Sequence, residues 1–364
     1  MKKIPWWEPL LDSSDSKAVS KVIKSNYPNE GLFTKKLEKK LSHLLKVKYS
    51  ICVTSGTMAI FLSLKSLNIK KGDEVIVPDL TFAATANAVN LCGAKTVLVD
   101  VCKDSLTIDI NSLEKKINSK TKAIIPVHVS GRGAEMDKIL KVARKHKIHV
   151  VEDAAEAFMS KYKKRYLGTF GLLGCFSFSA NKIVTSGQGG FIVTNDSKIN
   201  ATIRKLKNQG IIGKSDGGNA IHHQHGYNFK YTNLQAAIIL NQLKSLNKRI
   251  LRLKKHYKIY KDNLDNLEKV KVFKFNIMDG EFPLWTDIWC ENRDKLHSYL
   301  IKRNIDCRKF WYPLHTQKPF KSSSRSFKNS RKLYKNLLWL PSALKLSKAD
   351  ILKVCRSVKN FYKI

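Results

Sequence analysis

The sequence predicts an α/β protein in which a mostly parallel sheet, covered by helices, is followed by a smaller α+β unit. Short apolar runs between residues 49 and 196 alternate with segments of helical period, which is typical of parallel sheets covered on both faces. After about Asn195 this alternation stops. A long helical pattern from Leu234 to Leu267, which contains neither glycine nor proline, predicts one helix that links two domains. Because 364 residues exceed one ordinary domain, we predict a large domain over 1–240, with an N-terminal arm, and a small domain over 241–364.

The individual elements follow from these patterns. Seven apolar runs predict strands, at Tyr49–Val53, Glu74–Val77, Thr96–Val99, Ala123–Val127, His149–Glu152, Cys175–Ser179 and Phe191–Thr194. Between the fourth and fifth runs, apolar residues recur at helical spacing and form one face, at Met136, Ile139, Leu140 and Ala143. In the C-terminal part the pattern predicts a strand over Leu284–Cys290, a helix over Asp294–Lys302, an extended stretch over Asp306–Phe310 and a final amphipathic helix over Leu346–Phe361.

Composition limits the class of protein. The net charge of +38 suits either a solvated lysine-rich surface or attraction to a polyanion, but no nucleic-acid-binding motif accompanies the lysines, so no nucleic-acid partner is expected. No apolar run has the length of a signal peptide or a membrane span, which predicts a soluble cytoplasmic protein. The seven cysteines are scattered without a C-x-x-C pair, which indicates free thiols rather than disulfides or a zinc site.

The turn after the first predicted strand could bind an anion. Thr54, Ser55, Gly56 and Thr57 lie between that strand and a helical pattern. Glycine permits a close backbone approach, and a helix N-terminus offers free N–H groups to a phosphate. The same residues also suit an ordinary N-cap, so both interpretations stay open at this point.

Asp153 and Lys182 carry the most specific chemistry. Asp153 ends the fifth predicted strand, where ligands of parallel sheets bind, and Lys182 lies between a strand and a glycine-rich turn. An acid that meets a pyridine nitrogen and an amine that forms a Schiff base are what pyridoxal phosphate requires of a protein. Taken singly, Asp153 also suits an N-cap and Lys182 a surface lysine.

Eight blocks in order link these residues to a known family. They are SGTMAI, VPDLTFAATANAV, PVHVSGRGAEMD, VEDAAEAF, GCFSFSANK, GQGGFIVTND, GYNFKYTNLQAA and LPSALKLSKADI. Together they resemble the DegT/DnrJ/StrS family of pyridoxal-phosphate-dependent nucleotide-sugar aminotransferases, from about Ile4 to the C-terminus. The resemblance implies the type I aminotransferase fold and a homodimer with active sites shared across its interface.

The resemblance also implies roles for individual residues. Lys182 matches the Schiff-base lysine, and Asp153 matches the acid on the pyridine nitrogen. The phosphate-binding positions correspond to Gly56, Thr57 and Ser177. Three further residues match positions that face the cofactor. Phe82 matches the aromatic residue stacked on the ring, and Glu156 matches the residue beside the phenolic oxygen. Asn228 matches a residue that reaches the phosphate of the neighbouring subunit.

Three positions depart from the family pattern. Glu156 stands where the family usually has Gln or His, and a carboxylate there repels a phenolate unless it is protonated or turned away. Gln188 stands where Glu is more frequent. Lys230 stands where Arg is common, which keeps the charge but loses the bidentate fork. Lys182 is retained, so these departures bear on substrate geometry rather than on the reaction.

The substrate-binding residues are predicted less directly. Trp311, Tyr312 and His315 lie where the family closes over the sugar and nucleotide, and packing within the small domain is the alternative. Arg132 could meet a diphosphate or a donor carboxylate, and Lys230 is a further substrate contact. His128 lies near the same crevice but equally suits a buried, hydrogen-bonded residue.

The resemblance therefore implies that glutamate donates an amino group to a nucleotide-linked 4-keto-6-deoxy sugar, as in perosamine-type members, giving a 4-amino-4,6-dideoxy sugar for polysaccharides such as O-antigen. A 3-keto acceptor is the near alternative. A sugar dehydratase on this fold is disfavoured, because those relatives replace the lysine with histidine. A nucleic-acid-binding protein on the same scaffold is disfavoured by the intact catalytic positions.

Overall fold

The computed structural model describes residues 2–211, 221–222 and 224–363. In chain order the N-terminal half contains α1 (Ser13–Lys24), α2 (Leu32–Leu45), β1 (Tyr49–Val53), α3 (Gly56–Ser66), β2 (Glu74–Pro78), α4 (Ala84–Leu91), β3 (Lys95–Val99), α5 (Ile110–Glu114), β4 (Thr121–Ile124), α6 (Met136–His146) and β5 (His149–Asp153). It continues with β6 (Lys161–Tyr162), β7 (Arg165–Tyr166), β8 (Leu173–Ser177), β9 (Gly190–Thr194) and α7 (Ser197–Lys207). The C-terminal half contains α8 (Asn233–Gln242), α9 (Leu246–Leu264), β10 (Val270–Val272), β11 (Thr286–Cys290), α10 (Arg293–Ile301), β12 (Arg308–Lys309), α11 (Lys328–Leu333), β13 (Leu337–Leu340) and α12 (Lys348–Tyr362).

The predicted mostly parallel sheet is confirmed. Seven strands lie in the order β1-β9-β8-β5-β4-β2-β3, and β9 is antiparallel to both of its neighbours while the other pairs are parallel. Helices α3, α4 and α6 bury apolar residues beside these strands. Because β1 and β8 both run opposite to β9, β1 ends at the same edge as the parallel strands. Asp153 and Ser177 are the last residues of β5 and β8, and Gly56 follows the end of β1 by three residues, so all three lie at that edge.

Strand β8 begins two residues earlier than the sequence predicts. Gly174 precedes the predicted strand Cys175–Ser179, yet it lies inside β8 and pairs with Val193. A Cβ atom on Gly174 would lie 1.9 Å from the carbonyl oxygen of Gly168. Glycine is therefore required by a close backbone approach within the strand, and it does not mark the end of the element.

The long helical pattern over Leu234–Leu267 is not one helix, and this expectation is wrong. Helix α8 ends at Gln242, a 3-10 turn spans Leu243–Ser245, and α9 continues from Leu246. The buried Gln242 side chain accepts a hydrogen bond from the Thr185 N–H at 2.9 Å and donates one to the Thr185 carbonyl at 2.8 Å. These two bonds tie the end of α8 to the loop that follows Lys182.

The C-terminal part forms a second sheet with its own core. Its four strands are antiparallel, in the order β10-β11-β13-β12, and α9, α10 and α12 supply apolar residues to a cluster that includes Ile288, Leu338 and Val354. The N-terminal arm packs here, since Ile4 pairs with Ile305 and the Trp6 ring lies 5.2 Å from Trp285. The division at residues 240 and 241 stays a prediction.

Two general features complete the fold. The seven cysteines are free thiols, and all except the half-buried Cys102 are buried, where they pack as small apolar side chains. Within the described ranges, none of the helices has both the length and the apolar character that crossing a bilayer requires.

Candidate active site

Asp153 lies at the carboxyl end of β5 with only 6% of its surface exposed. The Thr85 hydroxyl donates to its Oδ2 at 2.8 Å, and the Ala155 N–H donates to its Oδ1 at 3.1 Å. Burial raises the pKa of Asp153, whereas these two donors and the nearby Lys182 act in the opposite direction. The chain after Asp153 forms turns, so the residue does not cap a helix. It is an oriented carboxyl group in a low-dielectric site, where a cationic partner binds strongly.

Lys182 follows β8 and is not a surface lysine. Its side chain is 11% exposed, and Nζ lies 3.6 Å from Oε1 of Glu156. The amine also lies 4.9 Å from the centroid of the Trp285 ring, at cation–π distance. The structure thus brings Lys182 into an ion pair with Glu156, and its charge also acts on Asp153.

Glu156 is buried beside this amine. Its Oε2 accepts a hydrogen bond from the Ser130 N–H at 2.9 Å. Burial raises the pKa of Glu156 to about 7, and the positive charge of Lys182 is the largest opposing cause. Glu156 therefore titrates near neutral pH and can exist in either protonation state there.

The predicted phosphate-binding residues meet at the start of α3. The Ser55 side chain caps this helix by accepting the Met58 N–H at 3.2 Å, and the first N–H groups of a helix have no intrahelical partner. A Cβ atom on Gly56 would lie 3.0 Å from the Cβ of Ser177. Gly56 and Ser177 are therefore adjacent, and Thr57 lies on the same first turn, so both expected interpretations, N-cap and anion site, are compatible with the geometry.

Phe82 lies just before α4 and is exposed, whereas Asn228 and Lys230 lie on the segment that precedes α8. The Phe82 side chain is 61% exposed, three residues before Thr85, the hydrogen-bond donor to Asp153. Asn228 is exposed and pairs through its backbone with Asn208, and Lys230 is half-buried. Among the described residues, neither side chain forms a hydrogen bond or an ion pair with Lys182. The roles predicted for these three residues stay predictions.

His128 is a buried, hydrogen-bonded residue, in line with the second of its two interpretations. Its Nδ1 accepts the Ala134 N–H at 3.2 Å, so Nε2 carries the proton and donates to Glu152 at 2.9 Å. Glu152 also accepts three backbone N–H groups, from Gly168, Phe170 and Gly171. These contacts use both ring nitrogens of His128 inside the protein.

Arg132 is placed differently from the expected substrate-binding arginine. Its side chain is 4% exposed, and Nη2 donates to Asp287 at 2.8 Å. The other guanidinium nitrogens donate to the backbone carbonyls of Lys274 and Ser105. All three nitrogens are therefore engaged within the fold, which joins the loop after β4 to β11.

His315 is held at the carboxyl end of β2. Its backbone N–H donates to Oδ1 of Asp79 at 2.8 Å, and its Nδ1 lies 2.7 Å from Oδ2 of the same carboxyl group. It also lines a cavity of about 770 Å³ whose cationic side chains are Lys321, Arg331, Lys332 and Lys335. No acidic side chain is among the described residues that line this cavity, so its charge suits an anion.

Trp311 and Tyr312 have different surroundings although they are adjacent in sequence. The Trp311 ring lies 5.0 Å from Trp339 and 4.9 Å from Phe310, which corresponds to the packing alternative. Tyr312 is exposed and is available to a ligand. Their assignment to the substrate stays a prediction.

Several residues around the amine were not found by sequence reasoning. They are Thr85, Ser130, Trp285 and Asp287. Thr85 lies four residues after Thr81, and their hydroxyl oxygens are 3.1 Å apart, so helical spacing could have indicated a shared face. Asp287 lies in β11 and Trp285 directly before it. Both follow Lys182 by more than a hundred residues along the chain, and no local pattern indicates their position near the site.

Comparisons with known proteins agree with this geometry. The chain matches the DegT/DnrJ/EryC1/StrS aminotransferase family over residues 9–359. It is 34% identical to a GDP-perosamine synthase of Escherichia coli O157:H7, covering 100% of this chain and 99% of that protein. It is 32% identical to a GDP-perosamine synthase of Vibrio cholerae, covering 99% of each.

Solved structures confirm the predicted fold. S. venezuelae DesV, crystallised with a ketimine intermediate, is 28% identical with a TM-score of 0.93 over 100% of both chains. A family aminotransferase from Brucella abortus is 30% identical with a TM-score of 0.90 over 96% of both. Both have the type I aminotransferase fold. The chain is therefore a pyridoxal-phosphate-dependent aminotransferase, and it belongs to the DegT/DnrJ/EryC1/StrS family.

Proposed function

We propose that this enzyme moves an amino group from glutamate to a nucleotide-linked 4-keto-6-deoxy sugar and produces a 4-amino-4,6-dideoxy sugar nucleotide. The observation that carries the amine chemistry is the shielded Lys182 amine, which lies beside Glu156 at the edge that also holds Asp153. The choice of a 4-keto acceptor is supported by the identity of about one third to two GDP-perosamine synthases over nearly the whole chain.

The residues present fit pyridoxal phosphate. Asp153 is a buried carboxyl group suited to a protonated ring nitrogen, and Lys182 is a shielded amine suited to a covalent bond with an aldehyde carbon. Gly56, Thr57 and Ser177 offer a helix N-terminus and a hydroxyl group to the phosphate. When bound, the cofactor supplies an electron sink for the carbon that carries the amine.

The protein's own side chains then move protons and exclude water. We assign to Lys182 the transfer of a proton through Nζ between the substrate carbon and the cofactor carbon. Asp153 keeps the ring nitrogen protonated by ion pairing. Trp285, whose ring lies beside Nζ, excludes water from one side of the amine and thereby strengthens these electrostatic interactions.

The substrate end of the site is proposed from charge and exposure. The cationic cavity beside His315 favours an anionic nucleotide-linked sugar over a neutral sugar. Tyr312, which is exposed, and Lys230 are further proposed contacts. Arg132 is left out of this set because its guanidinium is engaged by Asp287.

We propose a homodimer in which Asn228 reaches the cofactor phosphate of the partner subunit. The exposed position of Asn228, without a described contact to the lysine of its own chain, supports this. The active enzyme should therefore have about twice the 41.5 kDa mass of one chain in sedimentation or light scattering. Full activity in a species of single-chain mass would contradict the shared site.

The acceptor is tested by the second half of the reaction. Glutamate is expected to convert the enzyme to its amino-loaded form, and after its removal, GDP-, UDP- and dTDP-linked 4-keto-6-deoxy sugars are added separately. We expect at least one to restore the visible absorbance of the original form, and mass spectrometry to find the 4-amino sugar. Restoration only by 3-keto isomers would refute the 4-keto assignment, and failure of glutamate to load the enzyme would refute the proposed donor.

A further inference from the structure

Glu156 is the acidic side chain that forms an ion pair with the Lys182 amine. Its Oε1 lies 3.6 Å from Nζ. Within the described part of the chain, no other carboxylate forms an ion pair with this amine at 4.0 Å or less. The Asp153 carboxylate does not lie within 4.0 Å of Nζ, although its charge acts on Glu156. A proton that leaves the Lys182 ammonium group therefore has one neighbouring carboxylate to receive it.

The orientation of Glu156 is fixed from its other side. Ser130 adopts a left-handed backbone conformation with φ of 54°, and its N–H donates to Oε2 of Glu156 at 2.9 Å. The Ser130 hydroxyl donates to Asp287 at 2.7 Å and accepts a hydrogen bond from the Trp339 indole at 3.2 Å. One carboxyl oxygen of Glu156 is thus occupied, and the other remains directed at the amine.

The charges around Glu156 set the pH range in which it can exchange a proton. Lys182 and the Ser130 N–H favour its ionised form, whereas Asp153 and Asp287 disfavour it. Arg132 neutralises part of the Asp287 charge through their ion pair. Burial is the largest influence and raises the pKa of Glu156 to about 7, which is close to the optimum for a group that both accepts and returns a proton near neutral pH.

We propose that Glu156 is a further catalytic residue, which takes a proton from the Lys182 ammonium group and later returns it to the departing aldehyde oxygen. The neutral amine then bonds to the aldehyde carbon of the cofactor. Both bonds of that carbon to its oxygen are broken, and the oxygen leaves as water. Two of the three ammonium hydrogens become part of this water molecule, and Glu156 carries one of these two. The third hydrogen stays on the nitrogen. This inference rests on the role proposed above for Lys182.

The rate at which cofactor-free enzyme develops visible absorbance after mixing with pyridoxal phosphate measures this step directly. In the unaltered protein, the rate should rise as pH increases through about 7, where Glu156 becomes ionised, and then level off. Glu156→Gln keeps the size of the side chain and an oxygen that accepts the Ser130 N–H, but it cannot carry a proton. We expect its rate to fall about 100-fold above that pH and the step near pH 7 to disappear.

Control variants separate the outcomes. Glu135→Gln alters a partly exposed glutamate that pairs with Lys138 and should leave the rate unchanged. In Glu156→Ala, formate should restore part of the rate because it supplies a small carboxylate, and a melting curve checks that each variant is folded. Equal rates and equal pH steps for Glu156→Gln and the unaltered protein would overturn this inference, as would a folded Glu156→Ala protein that formate does not rescue. A Lys182→Ala protein that develops the same absorbance would instead refute the role of Lys182.

Discussion

Lys182→Ala is expected to lower multiple-turnover amino transfer by about 10,000-fold. The variant loses both the amine that bonds to the cofactor and the group that moves the proton between carbons. Because the lysine side chain is 11% exposed and packs beside Trp285, solvent cannot easily replace either function. Turnover should be measured with saturating cofactor, so that a loss of binding is not mistaken for a loss of chemistry.

Two controls make the Lys182→Ala result specific. Lys345→Ala removes an exposed lysine that pairs with Glu8, and it should retain the activity of the unaltered enzyme. Small primary amines added to Lys182→Ala should restore part of the rate, since they can supply the missing base. Full turnover by Lys182→Ala without added amine would show that another group performs this chemistry.

Asp153→Asn is expected to reduce kcat by about 100- to 1,000-fold. Asparagine has nearly the same shape, and its amide oxygen can still accept one of the hydrogen bonds from Thr85 and Ala155. It lacks the negative charge that keeps a ring nitrogen protonated, so the ring withdraws electrons less well. The cofactor should still bind and show an altered absorbance spectrum, which distinguishes an electronic effect from loss of the fold.

The matched control for Asp153 is Asp262→Asn, which changes an exposed carboxylate paired with Lys258 on α9. This variant should show the kcat and spectrum of the unaltered enzyme. If Asp153→Asn behaved in the same way, the proposed ion pair with the ring nitrogen would be refuted. A variant that failed to fold would be recognised from its melting curve, and Asp153→Glu then provides a second comparison with the charge retained.

The central sheet could be predicted because its information is local. All five residues of β2 are buried, and they include the apolar run from Val75 to Val77. Runs of this kind alternate with helical segments along the chain. The positions of Asp153 and Lys182 relative to strand ends follow from the same pattern, since parallel strands direct their carboxyl ends to one edge. The exceptions arise where a contact overrides the pattern, as at Gly174, which lies against Gly168, and at Gln242, which is bonded to Thr185.

The surroundings of the catalytic groups could not be predicted because their partners are distant in sequence. The guanidinium of Arg132 could have met a ligand phosphate as readily as a protein carboxylate, and only the fold shows that Asp287 lies 2.8 Å away. The Ser130 N–H similarly reaches Glu156 through a left-handed backbone conformation that the residue type does not indicate. Trp285, which directly precedes β11, reaches the amine from the C-terminal part of the chain. These contacts depend on how two sheets pack together.

The most direct measurement is to reduce the cofactor-loaded enzyme with borohydride, digest it and identify the lysine that carries the pyridoxyl group by mass spectrometry. Because the chain is rich in lysine, many amines are available for adventitious labelling, so the stoichiometry of each labelled peptide must be determined. The site described here predicts about one group per chain, on Lys182, and its absence from Lys182→Ala. Stoichiometric labelling of another lysine, with Lys182 unmodified, would contradict it.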